Sequence, residues 1–163
     1  MKAERKQRNN AGFTLAEMML AVLILLMVAA IVAGGMPMAR RAYEDAVDAA
    51  NAQTLLSTTA TMLRGELSEA KYLSGSGTNA LNYLSGSGLR TTLSSEAGSP
   101  IHIACGSINE PLVTTEAQTA RLHTEFGSIS YSAGVFTVTD LKVMKGTKTV
   151  ALLESLSVRT VNP

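Results

Sequence analysis

The feature that most constrains this chain of 163 residues is an uncharged apolar segment near its N-terminus. The 19 residues from Met18 to Met36 are Leu, Ile, Val, Met and Ala, with two glycines near the end. As an α-helix this segment would be roughly 28 Å long, close to the hydrocarbon thickness of a bilayer. One acidic residue, Glu17, immediately precedes it. A carboxylate at the edge of a membrane-length helix is costly to bury, so we predict that Glu17 has a specific partner.

The residues ahead of the apolar segment are basic. Positions 1–12 carry a net charge of +3, whereas the remainder of the chain carries −2. Because basic flanks stay on the cytoplasmic side, we predict a single-pass protein of the cytoplasmic membrane with its N-terminus inside. Arg40 and Arg41 beyond the segment oppose this orientation, but they are outnumbered. The four basic residues of the N-terminal flank are Lys2, Arg5, Lys6 and Arg8.

Three ordinary membrane-targeting segments share some of these features. A cleaved secretory signal has a shorter apolar region, although Ala33-Gly34-Gly35 resembles a late cleavage site. A lipoprotein signal needs a cysteine directly after the apolar run, and none follows it here. A plain signal anchor fits the length but leaves Glu17 without an explanation.

The string Gly12-Phe13-Thr14-Leu15-Ala16-Glu17-Met18-Met19, followed by the apolar run, resembles the N-terminus of type IV prepilins and pseudopilins. The resemblance covers about the first 36 residues. It implies that a membrane-embedded prepilin peptidase removes the leader 1–12 by cutting between Gly12 and Phe13. It also implies that the same enzyme N-methylates Phe13. Glu17 would then take the position of the glutamate that this family needs for assembly.

Elementary chemistry gives these residues compatible roles. Glycine before the cleaved bond lets an extended backbone enter a tight peptidase groove. Inside an apolar filament, the Glu17 carboxylate would need a positive group, and the free amine of Phe13 on a neighbouring subunit is the natural one. Such pairing would also select the axial register of the subunits. The competing interpretation is an interfacial glutamate that faces lipid headgroups.

The resemblance implies an α+β, pilin-like fold, with a long N-terminal helix packed on a C-terminal antiparallel sheet. We expect a transmembrane and assembly helix at 13–36 and the second half of the helix at 37–73. A variable Ser/Gly-rich loop is expected at 74–100 and the antiparallel β head at 101–163. Pro37, directly after the two glycines, predicts a kink or a local break in the helix.

The pattern of apolar residues supports this division. Positions spaced by three and four residues predict one buried helix face, with an earlier stretch of the same rhythm around Tyr43 and Val47. Short alternating runs separated by glycine turns predict strands near 101–105, 129–138 and 149–158. The predicted helix face comprises Leu56, Ala60, Leu63, Leu67 and Ala70.

The head offers little sign of chemistry. His102 and Cys105 lie three apart in a predicted strand, so they would point to opposite faces, and further metal ligands are missing. We predict no catalytic residue, no cofactor and no metal site, and we expect Cys105 to be a buried apolar residue. Aromatic residues make up only 4% of the chain, and the body is mildly acidic, so direct nucleic-acid binding is not predicted.

These observations predict a pilin or pseudopilin subunit, minor subunits included, of a type IV pilus, a type II secretion system or a DNA-uptake filament. Its expected partners are the prepilin peptidase/N-methyltransferase, sibling pilins, membrane lipid before assembly, and indirectly the assembly platform and its motor ATPase. When assembled, it would lie at the cell surface or in the periplasm. The alternative is a signal-anchored extracytoplasmic binding domain that never polymerises, in which case Gly12 and Glu17 are coincidental.

Overall fold

The computed structural model describes residues 13–114 and 121–161, and within them it contains one helix and nine strands. The chain divides into two units, with the boundary between Glu44 and Asp45. All strand pairings are antiparallel, which confirms the α+β, pilin-like class predicted from the sequence. The elements are α1 (Leu15–Glu69), β1 (Lys71–Ser74), β2 (Ala80–Leu84), β3 (Arg90–Ser94), β4 (His102–Cys105), β5 (Ile108–Pro111), β6 (Leu122–Glu125), β7 (Ser128–Ser132), β8 (Val135–Lys145) and β9 (Lys148–Arg159).

The N-terminal unit consists of the first part of α1, whose apolar side chains are exposed. The helix continues without interruption through Gly34, Gly35 and Pro37, so the predicted break was wrong. A single proline removes one backbone donor and disturbs the turn before it. The helix formers Met36, Met38 and Ala39 surround it, and the remaining hydrogen bonds of the turn are sufficient to keep the helical path.

The C-terminal unit begins with the second part of α1, which buries one face against the sheets. Leu56, Leu63 and Leu67 are buried as predicted, and Ala60 packs at the edge of the same core. The earlier stretch differs, because Tyr43 is 72% exposed and Val47 38% exposed. The helix also ends at Glu69 rather than near residue 73.

The first sheet contains β1 to β5 in chain order and covers most of the segment that was predicted as a Ser/Gly-rich loop. The prediction of a loop at 74–100 was wrong, because β2 and β3 lie inside it. Its two Tyr-Leu-Ser-Gly copies pair across one hairpin, with Tyr72 opposite Tyr83. Gly75 and Gly77 supply the positive φ angles of 98° and 82° that this hairpin requires. The Ser-Gly pairs therefore mark turns, and the tyrosine-leucine pairs mark strands.

The second sheet is ordered β6-β8-β7, with β9 also paired to β8. It contains the strands predicted from residue 129 onward, but it is separate from the sheet that holds β4. The segment predicted as one antiparallel head therefore contributes to two sheets. Two-residue turns connect β7 to β8 and β8 to β9. In the first of them, Ala133 and Gly134 both have positive φ, which matches the right-handed twist of the flanking strands.

The hydrophobic core joins α1 to both sheets. Tyr72 and Tyr131, one from each sheet, stack with ring centroids 4.6 Å apart, and Phe136 packs against Tyr131. Aliphatic residues fill the rest, which suits a chain without tryptophan. The largest fully buried side chains include Tyr83, Phe136, Leu55, Leu63, Leu67, Leu81, Leu93, Ile101, Leu122, Ile129 and Leu141.

Candidate functional site

The start of α1 is built by reciprocal hydrogen bonds between Thr14 and Glu17. The Thr14 backbone amide and hydroxyl donate to Glu17 Oε2 at 2.9 and 3.1 Å. In return, the Glu17 amide donates to Thr14 Oγ1 at 3.3 Å. This Thr-x-x-Glu arrangement is a capping box, which satisfies backbone donors that the first helical turn leaves unpaired. It also places the carboxylate at the positive end of the helix dipole.

The capping box gives Glu17 a partner within its own chain, which the sequence analysis missed. The signal was present, because Thr followed three residues later by Glu before an apolar run is typical of a helix start. Both donors from Thr14 reach Oε2. Among the residues that the structure describes, no hydrogen bond to Glu17 Oε1 is made, so that oxygen is open to a donor from another molecule.

The predicted cleavage site borders this helix start. Phe13 directly precedes the capping threonine, and it is 83% exposed. Gly12 and the rest of the leader 1–12 lie outside the described residues. The roles assigned to Gly12, Phe13 and Glu17 therefore stay predictions.

The N-terminal part of α1 presents a continuous apolar surface. Leu25 is 68% exposed and Ile31 73% exposed, and the helix is long and apolar enough to cross a membrane. Alanines alternate with larger side chains along one side, which leaves room for the close approach of another helix. The residues of this side are Ala21, Ile24, Leu25, Val28, Ala29, Val32 and Ala33.

The candidate chemical residues of the head are spread over separate places. His102 and Cys105 occupy the two ends of β4, and both are half-buried. The prediction of a buried Cys105 was therefore wrong, since Cys105 is only partly buried and lines a surface groove. Within the described ranges 13–114 and 121–161, no three His, Cys, Asp or Glu side chains converge as metal ligands would.

Glu125 lies at the centre of the most connected polar cluster of the head. Its buried carboxylate accepts from the Gly98 amide at 2.7 Å, lies 2.9 Å from His123 Nε2 and 3.3 Å from Lys142 Nζ. Burial by itself raises the pKa of Glu125, but the Gly98, His123 and Lys142 contacts outweigh it, so the pKa lies below 4.5. The cluster ties the β3–β4 connection to the second sheet and is structural.

Two further contacts hold α1 to the sheets. The buried Tyr83 hydroxyl donates to Glu66 Oε1 at 3.0 Å, and burial together with the Glu66 charge raises the pKa of this tyrosine. Lys145 at the end of β8 pairs with Asp48 of α1, and this hydrogen bond raises the pKa of the lysine. Through these two contacts, the acidic residues Asp48 and Glu66 of α1 are bound to the sheets.

The N-terminal apolar helix, the capped acidic helix start and the α+β head give the chain a pilin-like architecture, and the helix is consistent with a membrane anchor. Residues 7–33 match the family model described as the prokaryotic N-terminal methylation motif, so the chain carries the type IV prepilin-like signature. Searches of curated proteins and of solved structures found no match. The motif supports the interpretation that the chain is a substrate for prepilin processing and assembles with other pilins. Proteins with this motif are structural rather than catalytic.

Proposed function

We propose that this protein is a structural subunit, a pilin or pseudopilin, of a type IV pilus, a type II secretion system or a DNA-uptake filament. The observation that carries the proposal is the methylation motif at residues 7–33, which overlaps the first part of an exposed membrane-length helix. Apolar helices of this kind are stable in lipid or against each other. A filament would replace the lipid around each helix with neighbouring helices, so little apolar surface would meet water during transfer.

In the proposed maturation, prepilin peptidase hydrolyses the amide bond between Gly12 and Phe13. The leader 1–12 leaves with a new carboxylate, and Phe13 keeps a free amine that then accepts one methyl group. The capping box uses only atoms that follow this bond, because its donors are the Thr14 and Glu17 amides and the Thr14 hydroxyl. The helix start is therefore already formed in the precursor and remains intact in the mature chain.

In the proposed assembly, the ammonium of Phe13 on one subunit pairs with the Glu17 carboxylate of its neighbour. The orientation of Glu17 supports this, because the capping box occupies Oε2 and holds the side chain at the helix end while Oε1 stays open. A held carboxylate loses less side-chain entropy when it pairs than a mobile one would. Methylation leaves the amine able to carry its charge.

The proposed topology is a single pass through the cytoplasmic membrane with the leader inside. Segment 13–36 would be the membrane and assembly helix, and the remainder of the chain the extracytoplasmic part. An assembly platform and a motor ATPase would extract the subunit from lipid into a filament at the cell surface or in the periplasm. The head would face outward and act mechanically, without catalysis or a cofactor.

Maturation is tested by the intact mass of the protein extracted from membranes of cells that contain the peptidase. We expect the mass to fall by residues 1–12 and to rise by one methyl group. A catalytically inactive peptidase is the control and should leave the full precursor. An uncut chain in cells with active peptidase would refute the proposal and favour the signal-anchored binding domain.

Assembly is tested by comparing Glu17→Gln with Glu17→Ala. Glutamine keeps the capping interaction but removes the charge, whereas alanine removes both. We expect both variants to be processed normally and both to enter sheared filaments at about one tenth of the wild-type amount or less, because the Phe13 ammonium of each neighbouring subunit loses the carboxylate that it pairs with. If Glu17→Gln assembles like the wild type, the carboxylate serves only to start the helix, and the proposed ion pair is wrong.

A further inference from the structure

A groove of about 410 Å³ on the head carries a strong excess of negative charge. Its three carboxylates come from Glu66 and Glu69 of α1 and from Glu110 of β5. Within residues 13–114 and 121–161, eleven residues line the groove, and none of these eleven is basic. Three carboxylates without a cation among the lining residues favour a positively charged occupant.

The rim of the groove is apolar. Leu89 is 56% exposed and Ile108 60% exposed, and both line the groove beside the carboxylates. Exposed large aliphatic residues grouped on a surface mark contact sites. The occupant should therefore present apolar side chains next to a positive charge.

Two of the three carboxylates lie against neighbouring groups of the head. Glu66 is held by the Tyr83 hydroxyl at 3.0 Å. Glu69 lies against the β2–β3 turn, where its side chain fills the space that a Cβ on Gly86 would need. A positioned acidic site loses less entropy on binding than a set of mobile surface glutamates.

The N-terminal unit of the same chain carries a surface with the complementary pattern. Met36, Arg40 and Tyr43 are spaced by four and three residues, so they share one face of α1. Met36 is 66% exposed and Tyr43 72% exposed. Arg40 lies between them with a side chain that is 80% exposed, and among the residues that the structure describes its ion pair is with the exposed Glu44 at 2.8 Å. Such a surface ion pair is weak and is readily exchanged for another.

We propose that the groove between Glu69 and Glu110 binds the Met36–Arg40–Tyr43 face of a second copy of this chain. Arg40 leaves Glu44 and pairs with the groove carboxylates, while Met36 and Tyr43 pack on Leu89 and Ile108. The two surfaces are different, so the contact is heterologous and can repeat without closing, as a filament requires. The proposal rests on the proposed function and adds a specific contact between the head of one subunit and the face of α1 that begins at Met36, the last residue of the membrane segment of another.

The single cysteine of the chain makes this contact measurable, because Cys105 lines the groove. When filaments of the Met36→Cys variant are oxidised with copper phenanthroline, the introduced cysteine should form a disulfide with Cys105 of another copy. The matched control is Met38→Cys, which is 76% exposed but about 200° away around the helix. We expect at least about five times more of the mixed disulfide peptide from Met36→Cys than from the control, measured by mass spectrometry.

Charge reversal provides a test that needs no new cysteine. Arg40→Glu alone, and Glu69→Lys with Glu110→Lys, should each lower the filament yield several-fold. Combining the three changes should restore most of the yield, because the attraction is re-formed with the opposite polarity. Glu154→Lys reverses an exposed acid outside the groove and should leave the yield unchanged.

The outcomes separate this inference from the proposed function. Processed filaments without the mixed disulfide and without charge-swap recovery would overturn the interface alone. Cys105 linked to a different protein, or disulfides only between identical positions, would also overturn it. A wild-type chain that keeps residues 1–12 and never assembles would refute the proposed function and the interface together.

Discussion

Replacing Glu125 with glutamine should destabilise the head, and by more at neutral than at acidic pH. The carboxylate is 8% exposed and contacts Gly98, His123 and Lys142. Glutamine has nearly the same volume and its carbonyl oxygen can still accept from the Gly98 amide. The substitution therefore removes mainly the charge and its contacts with the two basic side chains.

The size of the effect follows from these contacts. A hydrogen bond to a charged group contributes about 1.5–3 kcal/mol. Lys142 is one-third exposed and can bind water in place of the carboxylate, so its contact contributes little to the lost stability. His123 is 15% exposed, so the loss of its contact costs more free energy of unfolding. We expect a loss of about 2 kcal/mol in the free energy of unfolding. For a head of about 120 residues, this lowers Tm by roughly 6–12 °C.

The pH dependence has a defined sign. The pKa of Glu125 is lowered in the folded state below 4.5, so the unfolded chain binds the proton more tightly. Its stabilisation is thus present at pH values above the unfolded pKa and is lost as the pH falls through the folded pKa. Glutamine does not titrate. The difference in Tm between the wild type and Glu125→Gln should therefore be largest near neutral pH and shrink below about pH 4.

Scanning calorimetry of the full chain in detergent, at several pH values between about 3 and 7, would measure this difference. Glu154→Gln is the matched control, because Glu154 is exposed on the same sheet and should change stability by less than about 0.5 kcal/mol. A difference in Tm that stays constant over the whole pH range would refute the assigned role of the charge.

Two further predictions concern the stability of the head. Leu63→Ala should cost about 2–5 kcal/mol, because Leu63 is fully buried in α1, whereas its neighbour Met62, which is 45% exposed, should tolerate alanine with a loss below about 1 kcal/mol. Urea unfolding followed by circular dichroism would compare the two, and equal losses would contradict the assigned core. Ala133→Asn should stabilise the β7–β8 turn by about 0.5 kcal/mol, since Ala133 has a φ of 49° and Asn-Gly is the favoured pair for such turns. A lower urea midpoint for this variant would show that the turn conformation is wrong.

The sequence predicted the helix and strands best where one local pattern was sufficient. The apolar spacing identified Leu56, Leu63 and Leu67, which are buried against the sheets. It failed for Tyr43 and Val47, because periodicity shows that a helix has an apolar face but does not show what covers it. The Ser/Gly-rich segment was mistaken for a loop, since serine and glycine are its commonest residues, whereas Leu81, Tyr83 and Leu93 lie in its strands.

The candidate site shows a similar division. The motif around Phe13 and Glu17 could be identified from the sequence, because it consists of neighbouring residues. The reciprocal bonding between Thr14 and Glu17 was also local, and its signature was overlooked. By contrast, the acidic groove combines residues from α1, the β2–β3 turn and the β4–β5 hairpin, which are far apart in the chain.

Local sequence patterns were enough to identify a basic N-terminal stretch, a membrane-length apolar helix with one acid at its start, and a small mixed head. Each of these properties depends on neighbouring residues, so length, charge and spacing are enough to reveal it. The tertiary structure was needed to show that the head has two sheets, that the buried Glu125 contacts several polar groups and that Cys105 lines an acidic groove. These features depend on strand pairing and packing between distant segments, and a local sequence pattern does not show which distant segments come into contact.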